Sequence, residues 1–365
     1  MKICAEYFSD ETLKDVVRSG GSKGICDICK KSSDYVYDTE CDDNTLTAYF
    51  DLILRLYQPY DEVNDSREIR GNAQLLQNFV KKKWNLFADN VRDMDINQAL
   101  MSICPDMYEM NKDLFNKAVY LRRAYDEQYL KEHVLLKTHT WKEFSDNIIE
   151  VNRFHSKYIN LDILEKYMGY LKVSYGKGTT FFRSRICESE AIHSEDMGAP
   201  PKDKARDSRA SAIGIRCLYL GDSVETTLYE VRAAKYDNVS VGEFKLKDDI
   251  SVVDLTRLKS ISPFIMPESD IEEFAVNLEQ LEYLDNAMGK PVRHSDSSLD
   301  YVPTQYIADF IKSITDDDGR PVFQGIQYRS VMKSGGFNLA IFDPELFECI
   351  NVTLKQIDEI HYHTH

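Results

Sequence analysis

The sequence has no apolar run close to the roughly 20 residues that a membrane-spanning helix requires. Its first six residues, Met-Lys-Ile-Cys-Ala-Glu, also lack the apolar stretch of a signal peptide. Both absences favour a protein that neither crosses nor enters a membrane. We therefore expect a soluble protein located in the cytoplasm.

Positive charge is scarce in this chain. Lysine and arginine number 45 against 61 aspartate and glutamate residues, which gives a formal net charge of -16 at pH 7. Such a chain repels phosphate backbones, so the charge argues against a broad nucleic-acid-binding face. A small anionic ligand is still compatible with it, because a few arginines can dominate the field at one site.

A disulfide framework is not expected for the eight cysteines of a cytosolic chain of this size. Cys26 and Cys29 form a Cys-x2-Cys pair, which fits one half of a tetrahedral zinc site, and Cys4 could supply a third thiolate. The fourth ligand is open: Cys41 is available, but Tyr7 stands where a second Cys-x2-Cys pair would need sulfur. Two interpretations therefore remain, a structural zinc site or three unligated thiols.

Changes in residue composition and in the spacing of apolar residues along the chain predict three parts. Residues 1–45 form a small cysteine-bearing segment with the zinc site as one alternative. Residues 46–170 contain little proline or glycine and predict a bundle of roughly five helices. The apolar residues at helical spacing are Leu46, Phe50, Ile53 and Tyr57, then Leu114, Ala118, Leu121 and Tyr125, then Phe144, Ile148 and Val151.

Residues 171–365 predict a domain in which strands and helices alternate, so the fold class is α+β. The predicted strands are short β-branched or aromatic runs at residues 179–182, 215–220, 239–244, 250–255, 325–328 and 338–342. The predicted amphipathic helices lie at residues 223–234, 269–286 and 304–314.

Three arginines and a tyrosine in this domain suit an anionic, aromatic ligand. Arg183 and Arg185 alternate along a predicted strand and therefore share one face, where paired guanidinium groups suit a pyrophosphate. Arg209 lies in a loop from which it could reach an anion, and Tyr219 in the next strand could stack on a ring. The alternative is an exposed strand edge, a surface arginine and a core tyrosine.

The predicted helix at residues 223–234 carries a candidate carboxylate. Ser223 is its predicted N-cap, and the apolar face is predicted from Val224, Leu228 and Val231. Glu230 lies at the margin of that face, where a carboxylate is half-buried and held rigidly. The alternative is a solvated glutamate paired with Arg232.

Two polar residues flank the last two predicted strands. Ser330 follows the strand at 325–328, and Asn338 begins the strand at 338–342. Both side chains can donate or accept hydrogen bonds to a sugar. The alternative is a hairpin with polar ends.

The order and spacing of these features resemble the RES domain over roughly residues 178–345. The residues that carry the resemblance are Phe182-Arg183, Arg209, Tyr219, Glu230, Tyr328 and Ser330. A longer subfamily is matched also at Met197-Gly198-Ala199-Pro200-Pro201, Glu225-Thr226, Val253-Asp254-Leu255 and Pro303-Thr304-Gln305-Tyr306-Ile307. That subfamily has a cysteine-bearing, HEPN-like helical N-terminal extension, which the first 170 residues resemble. Residues 208–212 read Ser-Arg-Ala-Ser-Ala, where the family usually has Gly-Arg-Ala-Asn-Pro.

The resemblance implies an ADP-ribosyltransferase-like fold and the activity of an NAD-degrading toxin of a toxin–antitoxin pair. By position, Arg183 and Arg209 would hold phosphates, Tyr219 would pack on the nicotinamide end, and Ser330 would orient ribose or nicotinamide. Glu230 would be the catalytic carboxylate. We add Arg185, Tyr328 and Asn338 as further substrate-binding candidates.

The functional hypothesis is an NAD glycohydrolase that depletes cellular NAD as a toxin or defence effector, with water or phosphate as the acceptor. One alternative is mono-ADP-ribosyl transfer to a macromolecule. Another is a catalytically inactive RES-like binding module, which the altered loop at residues 208–212 would favour. Control by an antitoxin or by the N-terminal part is expected, as is self-association. The reaction needs no catalytic metal, so zinc would be structural.

Overall fold

The structure is a computed structural model that describes residues 1–40, 44–61, 67–289 and 298–360. Spatial contacts divide the chain into two compact units, one of Met1–Thr138 with Lys259–Gln280 and one of His139–Leu258 with Leu281–His365. The three-part division into residues 1–45, 46–170 and 171–365 stays a prediction, and each compact unit is described by itself.

The first unit combines helices with two small sheets. Its described strands are β1 (Lys2–Cys4), β2 (Ser22–Ile25), β3 (Ser32–Asp38), β4 (Tyr57–Pro59), β5 (Gln74–Leu75) and β6 (Ala118–Leu121). Its described helices are α1 (Glu11–Gly20), α2 (Thr45–Leu54), α3 (Arg67–Asn72), α4 (Leu76–Asn78), α5 (Asp93–Ile103), α6 (Pro105–Met110), α7 (Lys112–Asn116) and α8 (Glu127–His133). The strands pair in the orders β1-β3-β2 and β4-β6-β5.

The predicted helix through Leu114, Ala118, Leu121 and Tyr125 is wrong. Helix α7 ends at Asn116, and residues 118–121 form the central strand of the sheet β4-β6-β5. Adjacent valine and tyrosine favour a strand, and pairing with two neighbouring strands outweighs the apolar spacing of the helix pattern. The prediction of an all-helical bundle therefore fails here.

The second unit is built on one mixed sheet. Its described strands are β7 (Lys172–Tyr175), β8 (Thr180–Cys187), β9 (Leu218–Gly221), β10 (Asn238–Leu246), β11 (Ile250–Asp254), β12 (Gly325–Arg329), β13 (Phe337–Ile341) and β14 (Phe347–Gln356). Its described helices are α9 (Trp141–Asp146), α10 (Leu161–Tyr170), α11 (Val224–Glu230) and α13 (Val302–Ser313). Helix α12 (Glu268–Gly289) is shared, since residues up to 280 belong to the first unit.

The strands of this sheet follow the order β14-β10-β8-β9-β13-β12-β11-β7. Neighbours are antiparallel, except that β11 and β12 run parallel. All six strands predicted for this region are confirmed by overlapping strands, and the mixed α/β class with them. Strands β7 and β14 at the two edges were not predicted.

A buried apolar cluster holds this sheet together. Its buried members are Phe181, Met197, Leu218, Leu220, Phe244, Leu246, Ile250, Val252, Leu339, Ile341 and Phe347. Each large apolar side chain contributes about 1.5–3 kcal/mol when it leaves water. Strands β8, β9 and β13 contribute side chains to this cluster, and β12 is held by its pairing with β13.

Candidate active site

Helix α11 places the candidate carboxylate. The helix begins after the N-cap Ser223, whose hydroxyl oxygen accepts a hydrogen bond of 3.2 Å from the Thr226 amide, so the predicted cap is confirmed. The buried face of the helix consists of Thr226 and Thr227. The apolar face predicted from Val224, Leu228 and Val231 is wrong, since these residues are only partly buried.

Two glycines make this threonine face possible. A Cβ atom added to Gly221 would lie 2.7 Å from Cγ2 of Thr227, and one added to Gly336 would lie 2.5 Å from Oγ1 of Thr226. Both distances are shorter than real Cβ contacts, so the helix approaches the sheet where side chains are absent. Ser184 in β8 completes the contact through a hydrogen bond of 2.7 Å with the Thr227 hydroxyl.

Helix α11 ends at Glu230, four residues before the predicted end at residue 234. The helix is followed by Arg232 with a φ of +51°, a left-handed conformation that ends the helical path. Glu230 is therefore the last helical residue, and its side chain is exposed rather than half-buried. A carboxylate at a helix C-terminus gains nothing from the helix dipole, so other groups must hold it.

Ser330 and Asn338 hold the carboxylate of Glu230. The Ser330 hydroxyl donates a hydrogen bond of 2.6 Å and the Asn338 amide one of 2.8 Å, both to Oε1. Within the described part of the chain, Oε2 of Glu230 accepts no hydrogen bond. One oxygen therefore fixes the side chain while the other is available to a ligand hydroxyl.

The strands β12 and β13 bring these donors together. Tyr328 and Asn338 face each other as register partners, and Ser330 follows the last residue of β12. Both donors are buried, with relative exposures of 9% for Ser330 and 7% for Asn338. Burial raises the pKa of the Tyr328 phenol, and the charge of Glu230 adds to this, so the phenol is neutral at ordinary pH.

The loop before β9 is tied to Tyr219. The Tyr219 hydroxyl hydrogen-bonds to the hydroxyls of Ser208 and Ser211, at 2.9 Å for the latter. Gln305 of α13 donates to the carbonyl oxygens of Ser208 at 2.9 Å and Ser211 at 3.2 Å. Burial raises the pKa of Tyr219 well above its ordinary value, so its phenol also stays neutral. The two serines thus provide the loop with its own set of hydrogen bonds.

Arg209 extends from this loop towards the end of helix α12. Its Nη1 donates a hydrogen bond of 2.8 Å to the carbonyl oxygen of Met288, in the last turn of that helix. Carbonyl groups at a helix C-terminus carry partial negative charge, which stabilises a guanidinium there. The position of Arg209 is therefore fixed from a second element.

A cavity of about 230 Å³ joins these residues. Its lining consists of Ser208, Arg209, Tyr219, Glu230, Arg232, Tyr301, Tyr328, Val331, Met332 and Asn338. Ligand sites for drug-sized molecules usually exceed this volume. Of the eight predicted catalytic and substrate-binding residues, five line the cavity and a sixth, Ser330, bonds directly to one of them.

Arg183 and Arg185 are not among the residues lining this cavity. Arg183 donates to the carbonyl oxygen of Gly198 at 2.7 Å, and Arg185 to that of Asp196 at 2.6 Å. Burial lowers the pKa of Arg183 to about 10, with a smaller effect from Arg185. The shared strand face is confirmed, and both side chains secure one loop; their contact with a ligand stays a prediction.

Sequence reasoning missed several lining residues, among them Arg232, Tyr301 and Met332. Arg232 could have been found, because it lies two positions after Glu230. Tyr301 and Met332 belong to no motif that the sequence shows, and only the folded chain brings them to the cavity.

The three N-terminal cysteines meet in the first unit. The sulfur atoms of Cys4, Cys26 and Cys29 all lie within 4.8 Å of one another, and those of Cys4 and Cys29 are 3.9 Å apart. A tetrahedral zinc with bonds of about 2.3 Å would separate its sulfurs by about 3.8 Å. The hydrogen bond between Cys4 and Cys26 lowers the pKa of Cys26 to about 5 and raises the pKa of Cys4, so one proton is shared between the two sulfur atoms. Cys41 lies outside the described residues.

Comparison with known proteins gives one match. A family model, the RES domain, matches residues 182–364 and so includes all the residues of the candidate active site that the resemblance carried. No curated protein and no solved structure matches the chain. Among the helices that the structure describes, none has the length and apolar character to cross a membrane.

Proposed function

Because the chain belongs to the RES domain family, we propose that it is an NAD glycohydrolase that cleaves the nicotinamide–ribose bond with Glu230 as its catalytic carboxylate. RES domains are associated with enzymes that act on NAD and with toxin-like functions. The observation that carries the specific reaction is the pair of hydrogen bonds from Ser330 and Asn338 to one oxygen of Glu230.

Cleavage of this bond places positive charge on the ribose. The bond from C1′ to the pyridinium nitrogen breaks, its electron pair stays on the nitrogen, and nicotinamide leaves as a neutral molecule. No general acid is needed, in contrast to the departure of an alkoxide in glycoside hydrolysis. A fixed carboxylate stabilises the developing ribosyl cation more than the neutral sugar, which lowers the barrier. Water then bonds to C1′ and releases one proton to solvent.

The remaining cavity residues would position the substrate. The neutral phenols of Tyr219 and Tyr328 offer aromatic surface on which the nicotinamide ring can stack. Arg209 supplies positive charge for a phosphate. Arg183 and Arg185 would contribute to phosphate binding in two ways. They would contact a phosphate directly, and they would hold the loop that carries Asp196 and Gly198 in place.

The loop at residues 208–212 bears on the proposal of an inactive binding module. Its sequence departs from the family pattern, but its two serines hydrogen-bond to Tyr219 and its carbonyl groups to Gln305. Since the replacement residues form a connected network around the cavity, an active enzyme is favoured over an inactive module.

The activity test compares two glutamates of helix α11. Glu230→Gln is expected to lower the rate of NAD loss by about a hundredfold or more, because the preorganised charge is removed without a change in shape. Glu225→Gln is the matched control, since this exposed residue lies outside the cavity lining and forms an exposed ion pair with Lys333. Equal NAD loss by the Glu230 variant and the wild type would overturn the assignment.

Product analysis separates the acceptors. Free ADP-ribose supports hydrolysis, a phosphorylated ADP-ribose supports phosphate as the acceptor, and label retained on a macromolecule supports mono-ADP-ribosyl transfer.

In cells we propose that the enzyme acts in the cytoplasm as a toxin or defence effector. Its control would come from an antitoxin, from self-association or from the HEPN-like N-terminal part. Constant NAD turnover by the purified chain would favour an outside inhibitor.

For the N-terminal cysteines we propose a structural zinc ion held by Cys4, Cys26 and Cys29. Their sulfur separations support this proposal. Near this cluster, the buried hydroxyl of Tyr7 has no hydrogen-bond partner among the described residues. Zinc at this place would stabilise the fold of the first unit and take no part in the reaction at Glu230.

A further inference from the structure

Three of the residues that line the active-site cavity are tyrosines, namely Tyr219, Tyr301 and Tyr328. In the sheet, Tyr328 lies opposite Asn338, and Asn338 lies opposite Gly221. Side chains two positions apart in a strand share a face, so Tyr219 and Tyr328 lie on the same face of the sheet as Asn338. Two of the tyrosines therefore share a sheet face with the amide that holds the candidate carboxylate.

The third tyrosine reaches the cavity from a different element. Tyr301 is the last residue of the short turn Ser298–Tyr301, immediately before helix α13. Its carbonyl oxygen accepts a hydrogen bond of 2.9 Å from the hydroxyl of Thr304, which is buried. Four residues after Tyr301, Gln305 donates to carbonyl oxygens of the loop at residues 208–212. The position of Tyr301 is thus fixed by a helix that is itself bonded to the cavity wall.

The rings of the three cavity tyrosines are not packed on one another. Other aromatic residues of this unit form ring pairs, as Tyr175 and Phe181 do with 5.1 Å between their centres. Among the residues that the structure describes, no ring contact joins any two of the three cavity tyrosines. Burial is the largest cause of the raised pKa of Tyr328, and the charges of Glu230 and Tyr301 also raise it, so these groups lie near one another. The cavity therefore has aromatic residues on more than one side and space between them.

Aromatic residues in this arrangement suit a flat cation. A cation within about 6 Å of the centre of an aromatic ring is attracted by the negative charge of the ring face. The pyridinium ring of NAD is such a cation, whereas the reduced ring of NADH and free nicotinamide are neutral. The carboxylate of Glu230 in the same lining adds to the attraction, and Arg209 offers positive charge to a phosphate of the same nucleotide. The lining therefore favours the oxidised ring over the reduced one.

We propose that Tyr301 completes an aromatic cage with Tyr219 and Tyr328 around the pyridinium ring of NAD and so selects the oxidised dinucleotide. This inference rests on the proposed function. As the bond to C1′ breaks, positive charge passes from the ring to the ribose, so the contact with the tyrosines is strongest in the bound substrate and weakens in the transition state. Neutral nicotinamide is consequently bound less tightly than the substrate and is released.

Steady-state kinetics test the contact in two variants of Tyr301. Tyr301→Leu keeps an apolar side chain without the ring, so its KM for NAD is expected to rise about five- to thirtyfold while kcat does not fall. Tyr301→Phe keeps the ring and is expected to have a KM close to that of the wild type, because the Tyr301 hydroxyl forms no hydrogen bond among the described residues. Tyr236→Leu is the control, since Tyr236 is exposed and outside this cavity lining. An unchanged KM in Tyr301→Leu, or an equal rise in Tyr301→Phe, overturns the inference.

Calorimetry tests whether the contact depends on the charge of the ring. In a Glu230→Gln background, which prevents turnover, NAD and NADH would be titrated with and without Tyr301→Leu. The dissociation constant for NAD is expected to rise by the same factor as KM, and that for NADH to stay unchanged. The methylated cation 1-methylnicotinamide and neutral nicotinamide give the same comparison for one ring in two charge states. An equal loss of affinity for the charged and the neutral ring overturns the inference, and the ratio does not depend on the fraction of folded protein.

The failure of this inference and the failure of the proposed function give different results. If the wild type binds NAD more tightly than NADH through Tyr301 but does not consume NAD, the glycohydrolase proposal fails and the cage stands. If the wild type consumes NAD and Tyr301→Leu leaves the ratio of the two affinities unchanged, the cage fails and the glycohydrolase proposal stands. If neither dinucleotide binds, both are overturned.

Discussion

The hydroxyl of Ser330 donates a hydrogen bond of 2.6 Å to Oε1 of Glu230, although the two residues are 100 positions apart in the chain. The Ser330 oxygen in turn accepts hydrogen bonds from the amides of Met332 at 3.3 Å and Lys333 at 3.2 Å. Since these amides occupy the acceptor side of the hydroxyl, its proton is directed to the glutamate. The orientation of the carboxylate is thus set by the turn after β12 rather than by its own helix.

Ser330→Ala is expected to lower kcat for NAD about tenfold while KM changes little. Hydrogen bonds to charged groups contribute about 1.5–3 kcal/mol, and Asn338 still holds the same oxygen of Glu230. Stopped assays of nicotinamide release would measure both constants, with Ser313→Ala on the exposed end of α13 as the control. Wild-type kcat in a folded Ser330 variant would show that this hydrogen bond does not position the catalytic group.

Gly221→Ala is expected to destabilise the protein by about 1–3 kcal/mol and to reduce activity, because the new methyl group would lie 2.7 Å from Cγ2 of Thr227. Helix α11 would have to move away from the sheet and carry Glu230 with it. Adding Thr227→Ser removes the opposing methyl group but keeps the hydroxyl that bonds to Ser184.

Chemical denaturation and activity would be measured for the single and double variants. The double variant is expected to recover most of the stability and activity lost by Gly221→Ala, while Thr227→Ser alone has a small effect. No recovery in the double variant would mean that the close approach of glycine to threonine does not set the position of the helix.

The same helix shows what sequence patterns can and cannot predict. The N-cap Ser223 was predictable because capping depends on residues a few positions apart. The buried face was not, since Thr226 and Thr227 are buried only because Gly221 and Gly336 leave room for them. That information lies in separate segments of the chain, and apolar periodicity does not report it.

The candidate site, like helix α11, was predictable only in part. Residue types and their order indicated Glu230 and Ser330, and the structure brings both together with Asn338. The engagement of Arg183 with the Gly198 carbonyl could not be predicted, because strand alternation gives the face of a side chain but not its partner. Arg232 was considered only as an ion-pair partner of Glu230, and its place in the cavity lining could not be predicted while the helix was expected to continue to residue 234.

Alkaline pH is expected to destabilise the protein partly through Tyr328. Burial raises the pKa of this phenol in the folded state, with the charge of Glu230 as a smaller cause, whereas the unfolded value is about 10. Below pH 10 the phenol is neutral in both states, so it has no effect on stability. Above pH 10 the unfolded chain loses the proton and the folded chain keeps it, so the free energy of unfolding falls as pH rises.

The measurement is the free energy of unfolding by denaturant between pH 9 and pH 12. Tyr328→Phe is expected to weaken the decrease by up to about 1.4 kcal/mol per pH unit, since one proton fewer is released on unfolding. Tyr236→Phe is the control, because Tyr236 is 68% exposed. Identical pH profiles for the wild type and Tyr328→Phe would show that this phenol ionises equally in both states.

Zinc removal is expected to affect stability and leave the chemistry at Glu230 unchanged. The purified protein should contain one zinc per chain by elemental analysis, and Cys26→Ser should lose it, because a serine hydroxyl does not replace a thiolate ligand. With roughly 2–4 °C per kcal/mol for units of this size, loss of a structural zinc should lower the melting temperature by about 5–10 °C.

A chelator should produce the same decrease in the wild type and none in Cys26→Ser. Cys349→Ser is the control, because Cys349 lies outside the cysteine cluster and this variant should retain zinc. Protein without zinc that melts at the same temperature with and without chelator would leave Cys4 and Cys26 as buried thiols and Cys29 as an exposed one.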